Sequence, residues 1–493
     1  MKRIILSAAA LLAFTPLFAK DITLRQGELA AILASENLDG ETTLKLTGTI
    51  DARDLEALSL IPASIKTIDL SATEIAPLRS SGQKYFGLAT FKANEIPHTA
   101  FFQSKAESIL LPSGVTAICD GAFSGSAVTA VALPEGLKSI GEYCFYNCEN
   151  LKTITLPSSL IGIGRGAFGN CPSLAALSLA ATGVTEIPAR AFAGDTSLAE
   201  LSLPAALVSV GSEAFEGTAL ETLSLAGVTN YDPYSLSGMQ RLRSVTLNPD
   251  ATAGEGLLMD NTSLSGVAGM PVLLPDYFAA NSSLSASDLS DTDVAAFGRY
   301  AFANTPGETL VLPADLLAVG QGALSGMTYL KEIDARTLDA RVPAASDESF
   351  EGITPPEITL LVTEESVADW QADPAWGKFL IKGSDEEDDP NKDDPNDDPK
   401  DDPKDDPNDD PSGGISGADA SGISIAFRGN VLVVEADAVI TDVRIFTPDG
   451  RAALYANPGD TRFQVESAAL PSGMIVVAVS DSDGNTRTAS LLK

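Results

Sequence analysis

Residues 156–174 read LPSSLIGIGRGAFGNCPSL. A short apolar strand ends in Leu156-Pro157, a bend follows to Ile163-Gly164, then a buried turn around Ala167-Phe168, then Asn170-Cys171 and a closing Leu174. The stretches on either side keep this order: LPEGLKSIGEYCFYNCENL from Leu133 and LPAALVSVGSEAFEGTAL from Leu203. Phenylalanine recurs in the same slot as Phe101, Phe123, Phe145, Phe168, Phe192, Phe215, Phe278, Phe302 and Phe350, and leucine replaces it at Leu236, Leu258 and Leu324. The eleven intervals between 101 and 350 average about 22.6 residues. A leucine-based period of roughly 20–29 residues is the signature of a solenoid of stacked coils.

Working outward from this unit, the strand positions are Ile109-Leu111, Val131-Leu133, Ile154-Leu156, Leu177-Leu179, Leu201-Leu203, Leu223-Leu225 and Val245-Leu247, with later copies at Leu273-Leu274, Leu310-Leu312, Ile333 and Ile358-Leu360. Strand alternation sends the flanking residues inward and the middle one outward. Proline after the strand stops the ladder where a missing N–H costs little. The Ala-Phe pair is expected on a short helical turn with its ring inside the coil. One coil cannot bury its own apolar face, so the ends need caps. At the start, Leu24–Leu38 has helical spacing, Thr43–Ile50 alternates like a strand, Asp54–Ile61 reads as a short helix and Ile65–Leu70 as a strand. At the other end, 360–382 holds the only two tryptophans, Trp370 and Trp376, expected to cover the last coil. Between 248 and 300 the pattern loosens and glycines enter the connections.

The flanks differ in kind. Lys2-Arg3, the apolar run Ile4–Phe18 and Ala19 have the pattern of a cleaved signal peptide, with a mature start near Lys20. No later run reaches membrane-spanning length. Residues 385–410 carry 15 acidic side chains against three lysines, with proline at short intervals. Such a segment stays extended by self-repulsion, and it lacks the spacing of an EF-hand calcium loop. Residues 415–493 read as six or seven strands, with turns at Asp449-Gly450 and Asp483-Gly484. The net charge of −35 argues against nucleic acid as partner.

The four cysteines are too few for a disulfide scaffold. Cys148 and Cys171 share a slot in adjacent coils, near enough for a bridge, but small buried plugs account for them, and free thiols are expected. His98, the only histidine, reads as an exposed filler. No GxSxG, HExxH or P-loop is present, and no cofactor or metal is expected. A carboxylate pair for glycoside hydrolysis is not singled out by anything. The binding candidates are the outward strand residues Thr155, Ser178, Ser202, Ser224 and Thr246, which continue from Ala132 as a row of small, mostly hydroxyl-bearing groups. The row either admits a partner closely or is an ordinary solvated face. Tyr231 and Tyr234, beside it, are candidate aromatic anchors.

The unit of Leu156–Leu174 resembles the BspA-like, or treponemal, leucine-rich repeat, over roughly 95–383. That resemblance implies a surface or secreted bacterial protein with an adhesin-like role and a host or bacterial protein or glycan as partner. Residues 443–450 (VRIFTPDG) and 470–493 are similar to the type IX secretion sorting domain of Bacteroidota, which implies export from a Gram-negative cell. The expected order is therefore a signal peptide over 1–19, an N-terminal cap with atypical repeats over 20–94, and repeats with their C-terminal cap over 95–383. An acidic disordered linker follows over 384–414, then a small all-β sandwich over 415–493. A non-catalytic binding scaffold is expected. A passive surface spacer is the alternative, and a carbohydrate-active enzyme the third.

Overall fold

In the computed structural model the described residues are 19–285, 288–338, 341–384, 423–428, 431–446, 452–456, 458–466, 470, 474–482 and 486–492. Residues 1–18 of the expected signal peptide, the acidic stretch from 385 and the expected turns at 449–450 and 483–484 lie outside them. The chain divides into two compact units, one of residues up to 285 without 272–274, the other of 272–274 and the residues from 286 onward. The division falls within the stretch where the repeat degenerates.

The first unit starts with the strand Ala19–Leu24, which pairs in parallel with Thr43–Ile50 and through it with Thr67–Ile75. The helix Leu29–Ser35 is shorter than its periodicity suggested. The second helix, Ala52–Ala57, starts two residues earlier than expected because Asp51 caps it. Asp51 accepts from the Arg53 amide at 2.9 Å, and Asp54 returns a bond to the Asp51 amide at 3.0 Å. Asp54 also accepts from the amides of Gly27 and Leu29. Both carboxylates are buried, a position an acid tolerates only when hydrogen-bonded in this way.

Each coil then contributes two parallel strands. The three-residue strands follow the sequence positions, as in Thr153–Thr155 and Ala176–Ser178, with Ile154 and Leu177 buried between exposed neighbours. Two-residue strands form a second set of ladders, such as Glu95–Ile96, Ala117–Ile118, Ser139–Ile140 and Gly162–Ile163. The Ala-Phe turn is not helical. It lies between two left-handed residues, for example Gly166 and Asn170 (φ 58° for each). Alternate amides donate to the next coil, Gly166 to Ala189, Phe168 to Ala191 and Asn170 to Ala193, while Ala167 and Gly169 close local turns. Backbone groups are thereby satisfied without a helix.

The rings of Phe101, Phe123, Phe145, Phe168, Phe192 and Phe215 form one stack with centroids 4.9–5.8 Å apart. Phe278 does not occupy the phenylalanine slot. Left-handed Tyr277 and Asn281 frame this turn, and the Phe278 carbonyl accepts from Leu258, as the Leu257 carbonyl does from Leu236. Phe278 thus stands in the alanine slot and Ala279 in the phenylalanine slot, both fully buried. The exchange keeps the pair's combined volume in the core.

His98 is half-buried rather than exposed. Its Nε2 contacts the Phe86 carbonyl and its ring meets the edge of Phe86, because residues 78–91 fold over it through the paired strands Leu78–Arg79 and Thr90–Phe91.

In the second unit, Thr309–Val311, Glu332–Asp334, Thr359–Val362 and Leu380–Gly383 form one parallel ladder. Trp370 and Trp376 are fully buried, edge to face at 5.3 Å, and Trp376 Nε1 donates to the Pro343 carbonyl. Burial removes them as surface sugar-stacking residues. The C-terminal residues form a six-stranded antiparallel sheet. Its 16-residue strand Val431–Phe446 pairs Ile423–Arg428 and Asp460–Glu466 along its first half, and Ala452–Ala456 and Met474–Asp481 along its second. Ile425, Leu432, Val434, Ile440, Val443, Ile445, Val477 and Val479 supply its core. Among the described residues no helix is long and apolar enough to cross a membrane.

Candidate functional site

The sheet face of the first unit carries the outward hydroxyls. Thr155, Ser178, Ser202 and Ser224 are exposed and Thr246 is half-buried. Among the described residues none of these five hydroxyls has a protein hydrogen-bond partner. The row is segmented, however. Thr155 registers with Ala132, Ser178 with Ser202, and Ser224 with Thr246 and then Thr246 with Ala268, in three separate ladders. The structure thus brings the candidates together on one face as three short pieces.

The two tyrosines are elsewhere. Tyr231 is 2% exposed and its hydroxyl donates to the Leu225 carbonyl at 3.1 Å. It fills the inward slot that Ile187 and Val210 occupy in the preceding coils, so it is core and cannot anchor a partner. Burial pushes its hydroxyl pKa up. Tyr234 lies on the turn face, half-buried, with its hydroxyl on Glu255 at 3.1 Å and its ring over Gly256.

Beside Tyr234, the turn face holds residues that sequence reasoning passed over. In the left-handed slot before the Ala-Phe pair stand Tyr143, Tyr234, Tyr277 and Tyr300, with φ between 51° and 60°. This conformation costs a non-glycine residue about 1–2 kcal/mol. Glycine fills the same slot at Gly121, Gly166, Gly256 and Gly322 at no such cost. The signal was available, a tyrosine heading Tyr-[Ala/Ser/Cys/Phe], but nothing in the spacing says that the slot is left-handed.

Tyr143 and Tyr146 meet edge to face at 5.6 Å and remain 36% and 42% exposed. Beside them a groove of about 670 Å³ crosses successive coils, floored by Gly166, Gly169, Gly194 and Gly217 and edged by Asn170, Arg190 and Glu216. A Cβ on Gly166 would stand 2.6 Å from the Tyr143 ring, and one on Gly169 3.3 Å from that of Tyr146. The glycines are therefore what lets the rings lie against the coil.

The interior column behind this turn holds the cysteines. Cys148 Sγ donates to the Phe123 carbonyl at 3.1 Å and Cys171 Sγ to the Phe145 carbonyl at 3.0 Å, both as free thiols. Cys144 is buried and free as well, and burial raises its pKa, while the neighbouring Cys148 and then burial raise that of Cys171. Burial and the nearby acids Glu95 and Asp120 push half-buried Cys119 up to about 11. The expected titration with a thiol reagent is at most one slow group in the native protein and four after denaturation without reductant. Two after denaturation would mean a bridge. Among the described residues no group of three His, Cys, Asp or Glu side chains could hold a metal ion.

A family model for the BspA-type leucine-rich repeat region matches in six copies, over residues 94–183, 162–270 and 274–368. Among solved structures, a leucine-rich repeat protein from Bacteroides ovatus is 19% identical, over 69% of this chain and 83% of that one, with a TM-score of 0.45. A leucine-rich cell surface protein from Faecalibacterium prausnitzii is 18% identical over the same shares, with a TM-score of 0.33. The leucine-rich repeat protein of T. pallidum is 23% identical over 40% of this chain and 75% of its own, with a TM-score of 0.23. The search of curated proteins returned no match.

Proposed function

The chain belongs to the BspA-type leucine-rich repeat family, and on that premise we propose that it is an exported bacterial surface or secreted protein acting as a non-catalytic adhesion scaffold for a protein or glycan partner. The observation that carries the reading is the sheet face. Its exposed hydroxyls at Thr155, Ser178, Ser202 and Ser224 have no partner within the protein among the described residues, and small side chains there let a partner approach the backbone closely. The signal-like segment at 1–19 and the resemblance of 443–450 and 470–493 to a sorting domain support export, with the acidic stretch 385–410 as spacer.

The test is an array of extracellular-matrix proteins and glycans probed with the full chain, followed by Ser202→Arg. A bulky charge at the middle of the face is expected to lower affinity for the captured partner tenfold or more. A wild-type chain that captures nothing would overturn the reading. Unchanged affinity in the variant would move the contact off this face.

A further inference from the structure

We propose that the groove on the turn face beside Tyr143 and Tyr146 is a second binding site, independent of the sheet face, and that it takes a neutral glycan. Four observations converge on it. First, two exposed rings stand edge to face at its wall, 5.6 Å apart. A ring face carries partial negative charge and attracts the C–H face of a pyranose.

Second, the fold does not require a tyrosine here. Position 143 is left-handed, φ 51°, and the same slot is glycine at 121 and 166. The chain thus holds a bulky residue in a strained conformation here, with its ring packed against Gly166 and still 36% exposed.

Third, the floor is built for close approach. Gly166 and Gly169 lie beneath the two rings, and Gly194 and Gly217 continue the floor beyond them with no side chain of their own. Neighbouring coils are spaced at about 4.7–4.9 Å, close to the advance of one sugar along an extended glycan.

Fourth, the rim pairs donors with acceptors, as hydroxyl recognition needs. Asn170 Nδ2 donates to Asn147 Oδ1 at 2.5 Å. This leaves the Asn147 amide nitrogen and the Asn170 amide oxygen without protein partners among the described residues. Arg190 is held in place by its ion pair with Glu213 yet stays about half exposed, and Glu216 is exposed across the groove. Donors and acceptors lie side by side with no cationic excess, and the chain's net charge of −35 repels polyanions. That combination suits a polyhydroxylated neutral chain rather than a phosphorylated or sulfated one.

The experiment uses the full chain and soluble hexasaccharides of β-linked glucose, α-linked glucose, mannose and N-acetylglucosamine. Binding is read by saturation-transfer NMR and calorimetry. At least one hexasaccharide is expected to bind and to receive saturation from tyrosine ring protons. Tyr146→Ala, which alters an exposed side chain, is expected to weaken it tenfold or more, and Tyr143→Ala with Tyr146→Ala to abolish it. Tyr234→Ala, the same slot four coils on with its ring over Gly256, and Ser202→Arg should both leave it unchanged. No binding by any of the four sugars, or binding that Tyr146→Ala does not change, overturns the proposal. So does a protein ligand whose capture depends on Tyr143 and Tyr146 while all four sugars fail. Because the sheet face is tested by Ser202→Arg, either site can fail while the other stands.

Discussion

Phe168→Ala is expected to destabilise the first unit by about 3–5 kcal/mol, the usual cost of removing a buried aromatic ring. Phe168 is fully buried between Phe145, 5.5 Å away and 3° from parallel, and Phe192, 5.8 Å away and 8° from parallel. The side chains above and below it belong to other coils, so little can collapse into the gap. A solenoid coil contacts only its neighbours, and stability sums over intrinsic and interface terms. The loss therefore weakens both interfaces of one coil. Urea unfolding followed by far-UV circular dichroism should show a lower midpoint and either a shallower slope or two separated transitions. Phe168→Leu should cost less than about 1.5 kcal/mol, because leucine already fills this slot at Leu236, Leu258 and Leu324 with almost no exposure. A leucine variant as stable as the wild type would mean that the ring stack contributes nothing beyond ordinary burial, and an alanine variant as stable as the leucine one would overturn the prediction.

The second large effect has the opposite sign. Asp195 is fully buried in the column that Cys148 and Cys171 occupy in the coils before it. One carboxylate oxygen accepts from the Cys171 amide at 2.6 Å, and the other has no partner. Asn261 shows what the position asks for. Its oxygen accepts from the Met239 amide at 2.7 Å, and its nitrogen donates to the Leu236 carbonyl at 2.9 Å. For Asp195 the corresponding carbonyl is that of Phe168, and only a protonated carboxyl can donate to it. Burial accordingly pushes its pKa well above the carboxylate range, against the opposing effect of the Cys171 amide.

The consequence for stability follows from proton linkage. A carboxyl whose pKa is raised on folding binds more protons in the native state. Its contribution is fully present below the unfolded value, about 4, and is lost as pH rises toward the folded value. Asp195→Asn supplies the missing donor without a proton. At pH 7.5 the variant should be more stable by about 1–3 kcal/mol, the cost of one unsatisfied buried polar group, which is several degrees in melting temperature for a unit of this size. At pH 4.5 the gain should shrink toward zero. Equal gains at both pH values would show that Asp195 does not fold as the neutral acid.

The two residues separate what the sequence carried from what it did not. Phe168 was legible because its slot recurs at a fixed spacing, and coils that stack in register must superimpose equal slots. The same logic placed the outward hydroxyls and assigned Trp370 and Trp376 to the interior. It failed at Phe278, where the turn reverses the order of the pair and preserves the enclosed volume. It failed again at Tyr231, where an aromatic took the slot of an isoleucine because a carbonyl lay within reach of its hydroxyl.

The period therefore determined, from sequence alone, the solenoid and most of its core residues. Only the tertiary structure decided that Asp195 sits where an amide would fit, that Tyr143 is left-handed, and that glycines of successive coils floor a groove beside it. Spacing along the chain states which residues stack. It does not state the sign of φ in a turn, or which polar atom of one coil faces which atom of the next. Those depend on contacts between residues some 22 positions apart, and they come into being only when the coils close on one another.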